Sequence, residues 1–247
     1  RTDLVGLARQ MVADPYWANK ARAGRKEEIR KCISCLVGCW QESLMIKRDM
    51  RCSINPAVGD ERFLHFGPAA EKLQVAVVGG GPGGMEAARI ATLRGHQVTI
   101  FEKSEELGGA ILYCCTVHGK NKMRWYADWQ RRQIAGLGVA VKYASVPTAE
   151  ELKKYDAVLV ATGAAVKRPD IRGIDSGRVC TFQDVLRCRM KNCEYWPKGG
   201  NGEALTGKPF AHPVTVIPNS LINWRHSGFI VAYANWNPSS PRRTIQA

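Results

Sequence analysis

Residues 73–84 read LQVAVVGGGPGG, and the chain runs on as MEAARIATLRG to residue 95. An apolar, β-branched run of strand length breaks into glycines and passes directly into a helix with small residues on one face. Gly79, Gly81 and Gly84 form G-x-G-x-x-G at that junction. Gly79 permits the tight turn, Gly81 lets a diphosphate approach the backbone, and Gly84 lets helix and strand pack closely. The helix N-terminus adds free N–H groups and a partial positive charge. Gly95 is placed to stop the helix.

The pattern continues outward from this unit. QVTIFEK (97–103) reads as the second strand, and KNKMRWYADWQRRQIAGLG (120–138) as an amphipathic helix stopped by glycine. VAVKYAS (139–145) is a strand, TAEELKK (148–154) a helix capped by Thr148, and YDAVLVATG (155–163) a further strand. Alternation of this kind predicts a Rossmann-like α/β fold with a parallel sheet covered on both faces. Glu102, at the end of the second strand, stands where an acid accepts hydrogen bonds from ribose hydroxyls. An acid there repels a 2′-phosphate, so the loop suits FAD, ADP or NAD better than NADP. Gly108-Gly109 in ELGGAIL leaves room for the rest of a flavin, and Ala161-Thr162-Gly163 makes a small-residue turn that can lie against the cofactor. The cofactor-binding set read here is Gly79, Gly81, Gly83, Gly84, Glu102, Lys103, Gly108, Gly109, Ala161, Thr162 and Gly163.

Ahead of this unit, Cys32, Cys35, Cys39 and Cys52 read C-x2-C-x3-C-x12-C, followed by Asn55-Pro56. Three thiolates from one loop and a distant fourth are a ligand set for a [4Fe–4S] cluster. Structural zinc usually takes two C-x-x-C pairs; one is present, with no histidine in the loop. Zinc and unligated thiols remain alternatives. Four thiolates around a cluster leave net negative charge, which nearby Arg30, Lys31 and Arg51 would offset. The other five of nine cysteines, Cys114, Cys115, Cys180, Cys188 and Cys193, show no ligand spacing and read as buried or unpaired thiols.

The chain has 247 residues and a net charge of +14, spread along its length rather than gathered in a stripe, so nucleic acid is not expected as a partner. No run of about eighteen apolar residues predicts a membrane span. No leader pattern is visible, and a cytoplasmic location is expected. The sequence opens on Arg1 in mid-pattern and reads as a piece of a longer protein. DLVGLARQ (3–10) reads as the last turn of a buried strand. After it, Asp14 caps and Pro15 opens a helix reaching the Arg22–Gly24 region. FQDVLRCRM (182–190) could be one more helix, and the Gly-, Pro-, Asn- and Ser-rich stretch from Lys198 has no clear period.

Three segments together resemble the old yellow enzyme-class iron–sulfur flavoproteins, which include 2,4-dienoyl-CoA reductase, trimethylamine dehydrogenase, and enoate and aryl-CoA reductases. VGLARQMVADPYW resembles the last edge of that family's (β/α)8 barrel, the cysteine loop with CSINPAVGDE its cluster-binding linker, and VAVVGGGPGGMEAA through Gly109, with VATG, its FAD or ADP domain. The resemblance implies five regions: barrel end (1–30), [4Fe–4S] loop (31–60), linker (61–72), Rossmann-like FAD/ADP domain (73–179) and an irregular tail or remnant of a nucleotide domain (180–247). It implies that Arg9, in Ala8-Arg9 where the family often has Gly-Arg, contacts an FMN phosphate, and that FMN belongs to the full-length enzyme. The implied activity is electron transfer within an NAD(P)H-dependent oxidoreductase that reduces activated C=C bonds of enoyl- or aryl-CoA type. The partners implied are a nicotinamide nucleotide, a CoA-ester-like substrate and an electron-transfer flavoprotein. An amine dehydrogenase branch, with electrons flowing outward and ADP in the nucleotide site, and a non-catalytic remnant are the alternatives. A second G-x-G-x-x-G is absent, and GKPFAHPVTVIPNS (207–220) resembles a later part of the nucleotide module. With most of the barrel missing, the chain alone is expected not to turn over substrate.

Overall fold

The computed structural model of the protein describes residues 3–62, 67–166, 170, 172, 174, 179–190 and 215–216. Its centre is a four-stranded parallel sheet of β1 (Gln74–Val78), β2 (Gln97–Phe101), β3 (Ala140–Lys142) and β4 (Ala157–Val160), in the order β3-β2-β1-β4. The register sets Val77 of β1 between Ile100 and Leu159. β1 reads as a nearly continuous apolar run because it is flanked by a strand on each side and covered. Val75, Ala76 and Val77 are buried.

The crossover after β1 is helix α3 (Pro82–Leu93), with Pro82 in its first turn. Gly95 follows at φ +96°, the left-handed stop that glycine allows cheaply. Met85 and Ala88 of α3 pack on Val75, Val77, Val98 and Ile100, and Leu107 and Ile134 complete this core. Helix α5 (Met123–Gly136) carries Ile134, and α6 (Ala149–Leu152) is capped by the Thr148 hydroxyl, which accepts from Glu151 N–H at 3.2 Å. A short α4 (Ile111–Cys114) precedes α5, and α7 (Phe182–Met190) lies where the sequence placed a last helix. A separate parallel pair joins β5 (Val179–Cys180) to β6 (Thr215–Val216). The rest of the segment after Met190 lies outside the described residues.

The N-terminal segment packs on the other face of α5. Ala13, Ile54, Ile111, Tyr126, Ala127 and Trp129 form a second core, with Cys32, Ile33 and Cys52 against it. Here one expectation is corrected. DLVGLARQ forms no strand: Leu4 and Val5 are 88% and 70% exposed, and Arg9 opens helix α1 (Arg9–Ala13). An apolar run becomes a strand only against a hydrogen-bonding neighbour, and none of the described residues offers one. Helix α2 (Trp17–Arg22) starts two residues beyond Pro15. Asp14 is buried and serves as an anchor, accepting from Tyr16 N–H (3.2 Å), Lys20 Nζ (2.7 Å) and Arg30 N–H (2.9 Å).

Candidate cofactor sites

The glycine loop lies at the carboxyl end of β1, beside β4, where a doubly wound sheet opens a crevice. Its shape is fixed by close approaches. A Cβ on Gly84 would stand 1.9 Å from Gly79 O, and one on Gly79, itself at φ +108°, would stand 2.3 Å from Ala161 O. The Ala161–Gly163 turn therefore packs directly on the loop, tied by Ala161 N–H to Val78 O at 2.8 Å. Gly81 differs: a Cβ there meets nothing within 4 Å, so the backbone faces open space at the start of α3. That opening, beside the first N–H groups of a helix, fits a diphosphate.

Gly108 and Gly109 fold against the same loop, with Gly108 N–H donating to Gly80 O at 2.8 Å. Arg131 of α5 holds that turn: its Nε donates to Leu107 O at 2.8 Å and its Nη2 to Glu106 at 2.9 Å. Glu102 is buried, and its carboxylate accepts from Gly80 N–H (2.6 Å) and Ser104 N–H (2.8 Å). A carboxylate has about four acceptor positions, so two remain for ribose hydroxyls. Lys103, next to it, is exposed, as are Thr162 and Gly163. Gly83 lies partly buried in the first turn of α3. Gly80, which the motif leaves unassigned, is the residue wedged between Leu107 and Glu102.

The four N-terminal cysteines surround one cavity. Cys32, Cys35, Cys39 and Cys52 line it with Arg9, Val12, Ile33, Leu36, Gly38, Ser53 and Ile54, and it is small and partly open to solvent. All four thiols are free. No three His, Cys, Asp or Glu side chains among the described residues converge as the ligands of a single ion. The thiols ring a hollow instead. Burial pushes the Cys39 thiol pKa up, and the neighbouring Cys35 and Cys32 push it further. Burial likewise raises Cys52, against hydrogen bonds from the Ile54 and Asn55 backbone; Cys35 adds to the rise and Arg30 opposes it. Bringing thiols together without a cation disfavours their charged form.

The loop that carries them is irregular but well tied. Ser34 and Leu36 sit at φ +56° and +59°, a conformation L residues adopt at a cost. Val37–Met45 is a π-helix, with Gln41 N–H donating to Leu36 O and Ile46 N–H to Gln41 O. Such wide turns concentrate at functional sites. Gly38 is pressed on the Arg51 backbone, leaving no room for a Cβ. Gln10 accepts from Cys32 N–H at 2.9 Å, Ser53 Oγ accepts from the Cys35 thiol at 3.3 Å, and Asn55 Nδ2 donates to Val12 O at 2.9 Å. Sequence reading missed these three supports, though Asn55 was visible in the Asn-Pro step. Arg9 stands on the cavity rim. Arg51 is paired with Asp60, and Lys31 lies 5.8 Å from the Trp125 ring.

The two sites share α5. Tyr126 and Trp129 pack on the cysteine side, while Gln130 Nε2 donates to Pro82 O at 2.9 Å, in the first turn of α3. The sequence of the pyridine nucleotide-disulphide oxidoreductase family matches over residues 73–194. The NADH oxidase of Thermoanaerobacter brockii is 40% identical over 191 residues, covering 75% of this chain and 29% of that protein. The structure of a 2-naphthoyl-CoA reductase in complex with 2-naphthoyl-CoA superposes with a TM-score of 0.70 at 38% identity, over 73% of this chain and 28% of that one. The chain belongs to the old yellow enzyme-class iron–sulfur flavoprotein family. Histamine dehydrogenase from Rhizobium sp. 4-9 is also similar, with a TM-score of 0.67 at 29% identity over 75% of this chain and 29% of that one. The chain thus spans less than a third of the length of these relatives, and no helix among the described residues is long and apolar enough to cross a membrane.

Proposed function

We propose that this chain is the electron-transfer part of an NAD(P)H-dependent flavin oxidoreductase, holding a [4Fe–4S] cluster on Cys32, Cys35, Cys39 and Cys52 and FAD at the glycine loop. The observation that carries the reading is that all four thiols line one hollow, with Cys32 and Cys52 packed against a core that includes Tyr126, Ala127 and Trp129 of the helix that also supports the dinucleotide loop. A ring of thiols around a void suits a polynuclear cluster, whose ligated irons stand apart, better than one tetrahedral ion. When bound, such a cluster supplies single-electron transfer between two-electron carriers. The chain's own part is to fix the thiolates, exclude water on the α5 side and carry the nucleotide's diphosphate at Gly81.

The substrate class proposed is an activated C=C bond of an enoyl- or aryl-CoA ester, supported by the likeness to the 2-naphthoyl-CoA reductase. The nicotinamide nucleotide, the FMN beyond Arg9 and the electron-transfer flavoprotein belong to the same proposal, as do the cytoplasmic location, the five regions outlined above and the need for further domains before turnover. The cysteine loop exposes Val37, Trp40, Leu44, Met45 and Ile46, an apolar surface of the kind that marks an interface. The likeness to histamine dehydrogenase favours a second reading, with ADP at the glycine loop and electrons flowing outward. Anaerobic reconstitution followed by acid release separates the two: fluorescent flavin in the supernatant supports the first, and ADP without flavin supports the second. Absence of a visible absorption band that dithionite bleaches would remove both.

A further inference from the structure

Two consecutive residues of α5 hold the two walls of the nucleotide cleft. Gln130 is buried, and its Nε2 donates to Pro82 O at 2.9 Å and to Tyr126 Oη at 3.0 Å, which pins the first turn of α3. Its Oε1 is buried without a hydrogen-bond partner among the described residues. Arg131 holds the other wall. Its Nε and Nη2 both donate to Leu107 O, its Nη2 also reaches Glu106 at 2.9 Å, and its Nη1 lies 3.5 Å from Asp128. The walls meet beside the opening at Gly81. A Cβ on Gly109 would stand 3.0 Å from Gly81 Cα, and one on Gly108 would stand 3.3 Å from Arg131 Nη2. One helix of 14 residues carries both contacts.

The two walls differ in what fixes them. The α3 wall is helical and keeps its shape through its own ladder of backbone bonds. The other is a glycine pair at φ +129° and +52°, which has wide conformational freedom when nothing holds it. Gly108 N–H is tied to Gly80 O, and the planar, preorganised fork of Arg131 fixes the residue just before the pair. We propose that Arg131 is a positioning residue that selects FAD over ADP at the glycine loop by fixing the Gly108–Gly109 turn, while Gln130 serves the diphosphate that both ligands share. The proposal rests on the nucleotide reading above and is independent of the cluster. The ADP half needs only the start of α3, the opening at Gly81 and the Glu102 carboxylate. A flavin half continues past that opening, which Gly109 borders. A turn that must be ordered on binding weakens whichever ligand uses it.

Calorimetric titration of FAD and of ADP, each separately into the ligand-free full chain, tests this. Arg131→Met is expected to weaken FAD about tenfold and ADP by less than about twofold, because only the flavin half loses a preorganised turn. Gln130→Met removes an unmet oxygen together with its donor, and is expected to weaken both ligands alike. A merely structural role for Arg131 would move both ligands together. An unchanged FAD-to-ADP affinity ratio in Arg131→Met therefore overturns the proposal, as does an equal shift of that ratio by Gln130→Met. Should Arg131→Met fail to fold, Arg131→Lys decides: it keeps the charge without the fork, so a loss confined to FAD supports the proposal and an unchanged ratio overturns it. Wild-type protein that binds FAD no more tightly than ADP also overturns it. Wild-type protein that binds neither refutes the nucleotide reading itself, whereas unchanged ratios in the variants refute only the role of Arg131.

Discussion

The glycine loop and the cysteine loop are built on opposite principles. The first is closed by backbone: Gly84 on Gly79, Gly79 on Ala161, Gly80 on Glu102 and Leu107. Nothing but glycine fits, and the shape exists before any ligand arrives. The second is closed by side chains reaching backbone, through Gln10, Asp14, Asn55 and Arg30, around a hollow lined with free thiols. It holds non-glycine residues at positive φ and leaves apolar side chains in solvent. One site is a preformed cradle, and the other is a strained frame around a thiol-lined hollow. Replacing parts of each should therefore fail differently.

The largest effect is expected at the cysteine frame. Cys52→Ser should abolish cluster incorporation, with iron falling from about four per chain to near zero, while the melting temperature of the metal-free chain stays close to wild type. Iron analysis paired with thermal melts checks both halves. In the cradle the order reverses. Gly84→Val places side-chain atoms on the Gly79 carbonyl and should cost on the order of 4 kcal/mol of folding stability, measured by urea denaturation. Gly81→Ala meets open space, so it should leave stability within about 0.5 kcal/mol yet weaken ADP or FAD binding. Equal destabilisation by both variants would mean that the loop is not closed as described.

Glu102→Gln sharpens the contrast further. One amide NH2 would face either the Gly80 or the Ser104 N–H, at a cost of about 1–3 kcal/mol. Nucleotide affinity should fall with it, and cluster loading should not. The frame also carries a pH signature. Burial holds Cys39 and Cys52 neutral above the ordinary thiol value of 9.0. In the metal-free chain their contribution to stability is present below pH 9.0 and is lost as pH rises through the raised folded values. Metal loading reverses that sign, because the ligands bind as thiolates and release protons. Melts of both forms at neutral and alkaline pH should diverge. The smallest effect belongs to Thr148→Ala, which removes only the α6 cap and should cost about 1 kcal/mol without touching either cofactor.

The same contrast explains what the sequence made legible. β1, the glycine loop, α3 with its Gly95 stop and the Thr148 cap were readable because each is governed by local rules of period, capping and glycine freedom. The four thiols were readable as a spacing. The frame around them was not, since a π-helix has no 3.6-residue pattern and a half-buried Arg30 or a buried Asp14 looks like any surface charge in one dimension. DLVGLARQ misled for a related reason, as its apolar run matches a strand while strand formation depends on a neighbour elsewhere. Trp129 at α5 and Arg30 beside Cys32 were visible as residues; only the fold shows them stacked.

The central claim is that the four thiols enclose a polynuclear iron site next to a nucleotide cradle. Parallel assay of iron, acid-labile sulfide and zinc on the anaerobically reconstituted chain tests it most directly. The account predicts about four irons and a matching amount of sulfide per chain, with negligible zinc. One zinc per chain, with neither iron nor sulfide, would contradict it.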